Sequence, residues 1–145
     1  MSRLLTMAKK GVREIRDNMT KPDQNWLPTL MYVKSSGAFD VVGIALEPES
    51  VTPDDITAAA EFVTQRLREN HAVEAVFVAT VWLQARDKEP VEGVMVAHVD
   101  QDHTEVQVAR IKRTAGKPKL AEWQHVASDI QVPPMVVIDA MRAAL

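Results

Sequence analysis

Apolar residues at Leu4, Ala8, Val12, Ile15 and Met19 recur at three- and four-residue steps, one stripe of an amphipathic helix. Gly11 interrupts the stripe, and Lys21-Pro22-Asp23 ends it. Trp26 to Val33 then reads as a strand, with Pro28 near its start marking a late beginning or an edge position. Ser35-Ser36-Gly37 supplies turn chemistry, and Ala38 to Leu46 returns as the second arm of a hairpin. Thr52-Pro53-Asp54-Asp55 is a helix start. Threonine caps, proline suits the first helical position, and the aspartates suit the positive end of the dipole. Ile56, Ala59, Ala60, Val63 and Leu67 form its buried stripe, and Asn70 is its stop. From Glu74 to Arg86, Val76, Val78, Thr80 and Trp82 point to one face, while Ala75, Phe77, Ala79, Val81 and Leu83 point to the other. Both faces are apolar, so this strand is central and covered on two sides.

Arg86 to Pro90 reads as a loop. Two strands follow, Val91 to Val99 and Thr104 to Lys112, around the turn Asp100-Gln101-Asp102-His103. Thr114 to Lys119 reads as a basic loop, Leu120 to Val126 as a short strand or turn carrying Trp123, and Pro133-Pro134 as the opening of a last helix. That helix turns Val137, Met141, Ala144 and Leu145 inward. The order is α-β-β-α-β-β-β-α over residues 1–145, a single α+β domain. The expected solution is one antiparallel sheet of about five strands flanked by helices. This element order is similar to that of roadblock and profilin-like domains, which implies a dimerising platform or a small binding module.

A second resemblance rests on residues rather than layout. Ala72–Trp82 (AVEAVFVATVW), Glu92–Val96 (EGVMV), Ala109–Arg113 and Leu120–Trp123 (LAEW) resemble a group of small uncharacterised bacterial and phage proteins over roughly residues 55–125. The resemblance implies an accessory protein of bacterial or phage origin and carries no activity with it. The group's glutamate two residues before the tryptophan is Thr80 in this chain.

Composition narrows the chemistry. The chain has 145 residues, enough to bury a sizeable core. It has no cysteine, which excludes disulfides, thiolate metal sites and a cysteine nucleophile. No apolar run approaches the roughly 20 residues of a membrane span. Lys9, Lys10, Arg13 and Arg16 interrupt what would be a signal peptide's apolar core, so the expected location is cytoplasmic, with no membrane partner. The net charge of −3 is unevenly spread: residues 110–119 hold five Lys or Arg and no acid, while residues 40–102 hold four against thirteen Asp or Glu. Such asymmetry suits an anionic partner or a self-complementary interface. A solvated loop is the plainer account of it.

Three constellations could carry function. His98, Asp100, Asp102 and His103 gather imidazole and carboxylate at a hairpin tip, ligands for zinc or manganese and the basis of a metal-dependent hydrolase. Aspartate also favours turns with no metal at all. Arg110, Lys112 and Arg113 with Trp123 resemble a patch that grips phosphate and stacks a base, a small-molecule or nucleotide site, although the acidic pI of about 5.8 opposes a general nucleic-acid binder. Trp26, Trp82 and Trp123 could line a pocket, with burial in the core as the ordinary alternative. No serine lies in G-x-S-x-G, and the phosphate-loop, dinucleotide and H-E-x-x-H patterns are missing. The expected function is therefore a non-enzymatic interaction protein without a cofactor, binding another protein or itself as a homo-oligomer. The apolar last helix, ending Met-Arg-Ala-Ala-Leu, is expected to pack on the core or on a partner.

Overall fold

A computed structural model describes residues 2–44, 52–83, 90–113, 117–126 and 135–145. Leu46, the loop residues 86–89, residues 114–116 of the basic loop and the Pro133-Pro134 helix opening lie outside the described residues. The elements are α1 (Arg3–Asn18), β1 (Thr29–Lys34), β2 (Phe39–Gly43), α2 (Pro53–Glu69), β3 (Ala72–Leu83), β4 (Val91–Asp100), β5 (Thr104–Lys112), β6 (Lys119–His125) and α3 (Met135–Ala144). The strands form one antiparallel sheet in the order β2-β1-β3-β4-β5-β6.

The class is α+β, and the described residues form a single antiparallel sheet of six strands rather than about five. The additional strand is β6, which pairs with β5 and buries no residue fully. Its burial lacks a clean two-residue alternation because the β5–β6 register shifts between Ala109 and Ile111. Of the two outcomes that Pro28 allowed, the first strand takes the late beginning, at Thr29, and lies between β2 and β3 rather than at the edge. Trp26 lies before it, 1% exposed, with its indole N–H donating to the Val12 carbonyl at 2.8 Å. That bond clamps the loop after α1 onto the helix, and Pro28, with no N–H to donate, precedes the strand's first residue, Thr29, while its carbonyl still accepts from Ile44.

Both faces of the sheet are covered. On one, Phe77 and Ala79 of β3 and Met95 and Ala97 of β4 pack with Val63 and Leu67 of α2 and Val137 and Met141 of α3. On the other, Val76, Val78, Val94 and Val96 pack under Leu4, Leu5, Ala8 and Val12 of α1. This is the central strand the alternation foretold. Helix α2 starts with the expected capping box, in which Thr52 accepts from the Asp55 amide and Asp55 accepts from the Thr52 amide. Its C-cap is Asn70. Helix α3 spends its apolar face on α2 and the sheet, with Val137, Ile138 and Met141 fully buried. It is a core element, so its hydrophobicity does not mark a surface. Gly93 is forced by packing: a Cβ there would lie 2.4 Å from Val108 Cγ1.

Candidate functional site

Register and alternation gather polar residues at one end of the sheet, on the α1 face. Glu74 pairs with Asp100, and Val76 with His98, across β3 and β4. The even-numbered positions of both strands point toward α1, so Glu74, His98 and Asp100 converge beneath the N-terminus of that helix. His98 Nε2 lies 2.9 Å from Glu74 Oε2. Ser2, the N-cap of α1, donates its hydroxyl to the same carboxylate oxygen at 3.0 Å while accepting from the Leu5 amide. One ligand atom from each of Glu74, His98 and Asp100 lies within 4.8 Å of the others. The His98 side chain is 4% exposed, and its Nδ1 is buried with no hydrogen-bond partner among the described residues.

The turn beside this group is locally determined. Asp100 Oδ1 accepts from the Asp102 amide at 2.9 Å, and this bond first of all holds the Asp100 carboxyl below its ordinary pKa. Further along the same face, burial pushes the Glu105 carboxyl up. The Gln107 amide and the imidazoles of His125 and His103 outweigh that and leave it lowered. Of the four residues expected to hold a metal, the fold brings together His98 and Asp100. Asp102 is exposed in the turn, and His103 points at Glu105, its ring 6.3 Å from that of His98. Glu74 was missed. Its only sequence signal was antiparallel pairing about the 84–90 connection, which places residue 74 opposite 100.

The opposite end of the sheet carries a surface cleft of about 590 Å³, lined by Trp82, Pro90, Val91, Glu92, Arg110, Ile111 and Arg113. Arg113 is committed within it. Its Nε donates to Glu92 Oε1 at 2.6 Å and Nη2 to Glu92 Oε2 at 3.0 Å. Nη1 donates to the carbonyls of Pro22 and Gln24, and Nη2 to Asn25 Oδ1. Arg110 is exposed and has no ion pair among the described residues. Trp82 is 59% exposed, in place of the core position usual for a tryptophan. Lys112 sits opposite Lys119 on the β5–β6 ladder, and Trp123 lies half-buried under Lys9, 5.8 Å from the ammonium to the ring centroid. The four residues expected to form one basic and aromatic patch are thus split. Arg110 and Arg113 share the cleft; Lys112 and Trp123 do not line it. The three tryptophans likewise occupy three separate environments.

A third feature is apolar. Arg13 reaches the Ala121 carbonyl on β6 at 3.2 Å, and Lys9 covers Trp123, so this side of α1 leans over β6. At 100° per residue, Met7 and Ile15 lie on the opposite flank, toward β1 and β2. They are 47% and 49% exposed, against the expectation that Ile15 would be buried. On the sheet beside them, Val41 pairs with Met31 and Phe39 with Val33, all on the α1 face. Phe39 and Val41 are about half exposed. The helix is thus offset from the sheet axis and leaves an apolar margin over the β1–β2 hairpin.

The outer edge of that hairpin is protected. Ile44 donates to Pro28 and Lys34 to Ala38, so the even residues of β2 face β1 and the odd ones turn their backbone groups outward. The Val41 amide is taken by Asp40 Oδ1 at 2.9 Å. Asp40 Oδ2 is in turn held by the Tyr32 hydroxyl at 2.9 Å and Arg66 at 3.4 Å. Such a carboxylate on an edge disfavours strand addition.

No helix among the described residues is long and apolar enough to cross a membrane. No protein-family model, curated protein or solved structure matches the chain.

Proposed function

We propose that the chain is a non-enzymatic interaction module that associates with a second copy of itself, a cytoplasmic accessory protein of bacterial or phage type. The observation that carries this reading is the set Met7, Ile15, Phe39 and Val41, four apolar side chains each about half exposed on the α1 side of the sheet. Apolar clusters of this kind on a polar-rimmed surface mark contact sites. Because Asp40 blocks the β2 edge, the association packs face on face through side chains and does not extend the sheet. A twofold arrangement lets each copy's margin cover the other's. The element order, similar to roadblock and profilin-like dimerising domains, agrees with it, with β6 as an addition.

The test is native mass spectrometry and light scattering of untagged protein from 1 to 200 µM. The expected result is a dimer that Phe39→Lys with Val41→Lys converts to monomer, without loss of the circular-dichroism signal or melting temperature. A monomer at every concentration overturns self-association.

The Trp82–Arg110 cleft favours a second reading, a small anionic ligand stacked on the indole and paired with the guanidinium. A thermal-shift screen of nucleotides tests it. Arg110→Ala removes any shift if the cleft is the site, and a screen without a shift ends this reading.

A further inference from the structure

We propose that Glu74, His98 and Asp100 form a binding site for one divalent first-row transition cation, with zinc and manganese as the candidate ions. The proposal is independent of self-association, which uses the other margin of the α1 face.

Geometry comes first. The three side chains sit on adjacent central strands, and the register Glu74↔Asp100 and Val76↔His98 holds their backbones. Their donor atoms lie within 4.8 Å of one another. The 2.9 Å between His98 Nε2 and Glu74 Oε2 is a hydrogen-bond length. Bonds of about 2.1 Å span about 3.0 Å at the right angle of a six-coordinate ion and about 3.4 Å at zinc's tetrahedral angle, so the pair is near either separation. The same pair can therefore hold either a proton or a cation with little movement.

The second observation concerns His98 alone. Its imidazole has two nitrogens and one partner: Nε2 meets Glu74, and Nδ1 is buried with none among the described residues. Ligation through Nε2, the nitrogen that faces Glu74, puts the neutral ring's proton on Nδ1, and the lone pair left on Nε2 is the one that binds a metal. The carboxylates are equally prepared. Glu74 meets Ser2 and His98 through Oε2 and keeps Oε1, while the Asp100 carboxylate accepts from the Asp102 amide through Oδ1 and faces the His103 amide as well. Two carboxylates around a neutral imidazole are net negative, and Ser2 orients Glu74 as an outer partner does in metal sites. One imidazole with two carboxylates suits zinc, manganese, cobalt or nickel better than the all-oxygen shells of calcium and magnesium.

Isothermal titration of the untagged, chelator-treated full chain with zinc chloride or manganese chloride tests the site, with calcium and magnesium as controls. One equivalent is expected to bind, with a melting temperature raised by about 5 °C or more at 100 times the dissociation constant. Asp100→Asn keeps the turn oxygen but loses the carboxylate charge, and it is expected to weaken binding at least tenfold. Glu74→Gln should do the same, while His103→Ala leaves affinity unchanged. No heat and no thermal shift at 1 mM of either ion overturns the proposal. Binding that survives Asp100→Asn and Glu74→Gln but disappears in His103→Ala also overturns it, by moving the ion to the exposed histidines.

Discussion

Replacing Arg113 with alanine is the sharpest test of how this fold is held. The guanidinium ties the end of β5 to two other parts of the chain: it grips Glu92 of β4 through two nitrogens, and in the loop after α1 it caps the carbonyls of Pro22 and Gln24 and meets the Asn25 side chain. Glu92 is only 15% exposed at its side chain and Arg113 25%, so water replaces these bonds poorly. Removing one member of a fully buried pair costs about 3–5 kcal/mol, chiefly because the other charge is stranded. Partial exposure lowers that figure, and the freed loop carbonyls raise it, so a loss of about 3 kcal/mol is expected. For a chain of this size that is a fall of roughly 6–12 °C in melting temperature. Equilibrium urea unfolding followed by tryptophan fluorescence reads it directly, since Trp26 adjoins the loop that Arg113 caps. Arg113→Lys keeps the charge but loses the fork, and should recover less than half the deficit. Arg113→Ala combined with Glu92→Ala should cost less than the sum of the two single changes, by at least about 1 kcal/mol. If Arg113→Ala lies within about 0.5 kcal/mol of the parent, the reasoning fails, and Arg113 returns to the cations free to bind a ligand.

Three more predictions use the same unfolding assay. Gly93→Ala places a methyl 2.4 Å from Val108 Cγ1 and 3.2 Å from the Ala109 carbonyl oxygen, against a β-branched side chain that is 4% exposed. It should cost about 1–3 kcal/mol, and a neutral result would mean that β4 and β5 can spread apart. Thr80→Val deletes a buried hydroxyl that has no partner among the described residues, and should raise stability by about 1 kcal/mol. A loss instead would show that the hydroxyl is bonded. Hydrogen bonds hold the Asp40 and Asp100 carboxyls below the ordinary 3.8, from the Tyr32 hydroxyl first for Asp40 and from the Asp102 amide first for Asp100. A lowered folded pKa means stability that is complete above about pH 4 and lost as pH falls further. The urea midpoint should therefore drop between pH 4 and 2.5, and drop less in Asp40→Asn with Asp100→Asn. Equal slopes for both proteins would refute this.

The elements themselves were legible because they depend on local chemistry. Alternation along 75–82 announces a two-faced strand whatever its neighbours are, and Thr52-Pro53-Asp54-Asp55 caps a helix with bonds spanning three residues. The hairpin tip at 100–103 was likewise readable as turn chemistry. What failed depends on distant partners. Whether Arg113 is free or bound is settled by Glu92 and by residues 22–25, some ninety positions earlier. Trp26 met the ordinary expectation of burial, and the Val12 carbonyl that receives its N–H is what seats it there. β6 is a strand because β5 offers it an edge, and its own pattern is too weak to say so. Glu74 enters the His98–Asp100 group only through the β3–β4 register, and Ile15 is exposed only because α1 sits off-centre. Periodicity along the chain determines which way each side chain turns. Tertiary structure decides what it meets there, because the energies that select register and helix placement are summed over contacts that no short stretch of sequence contains.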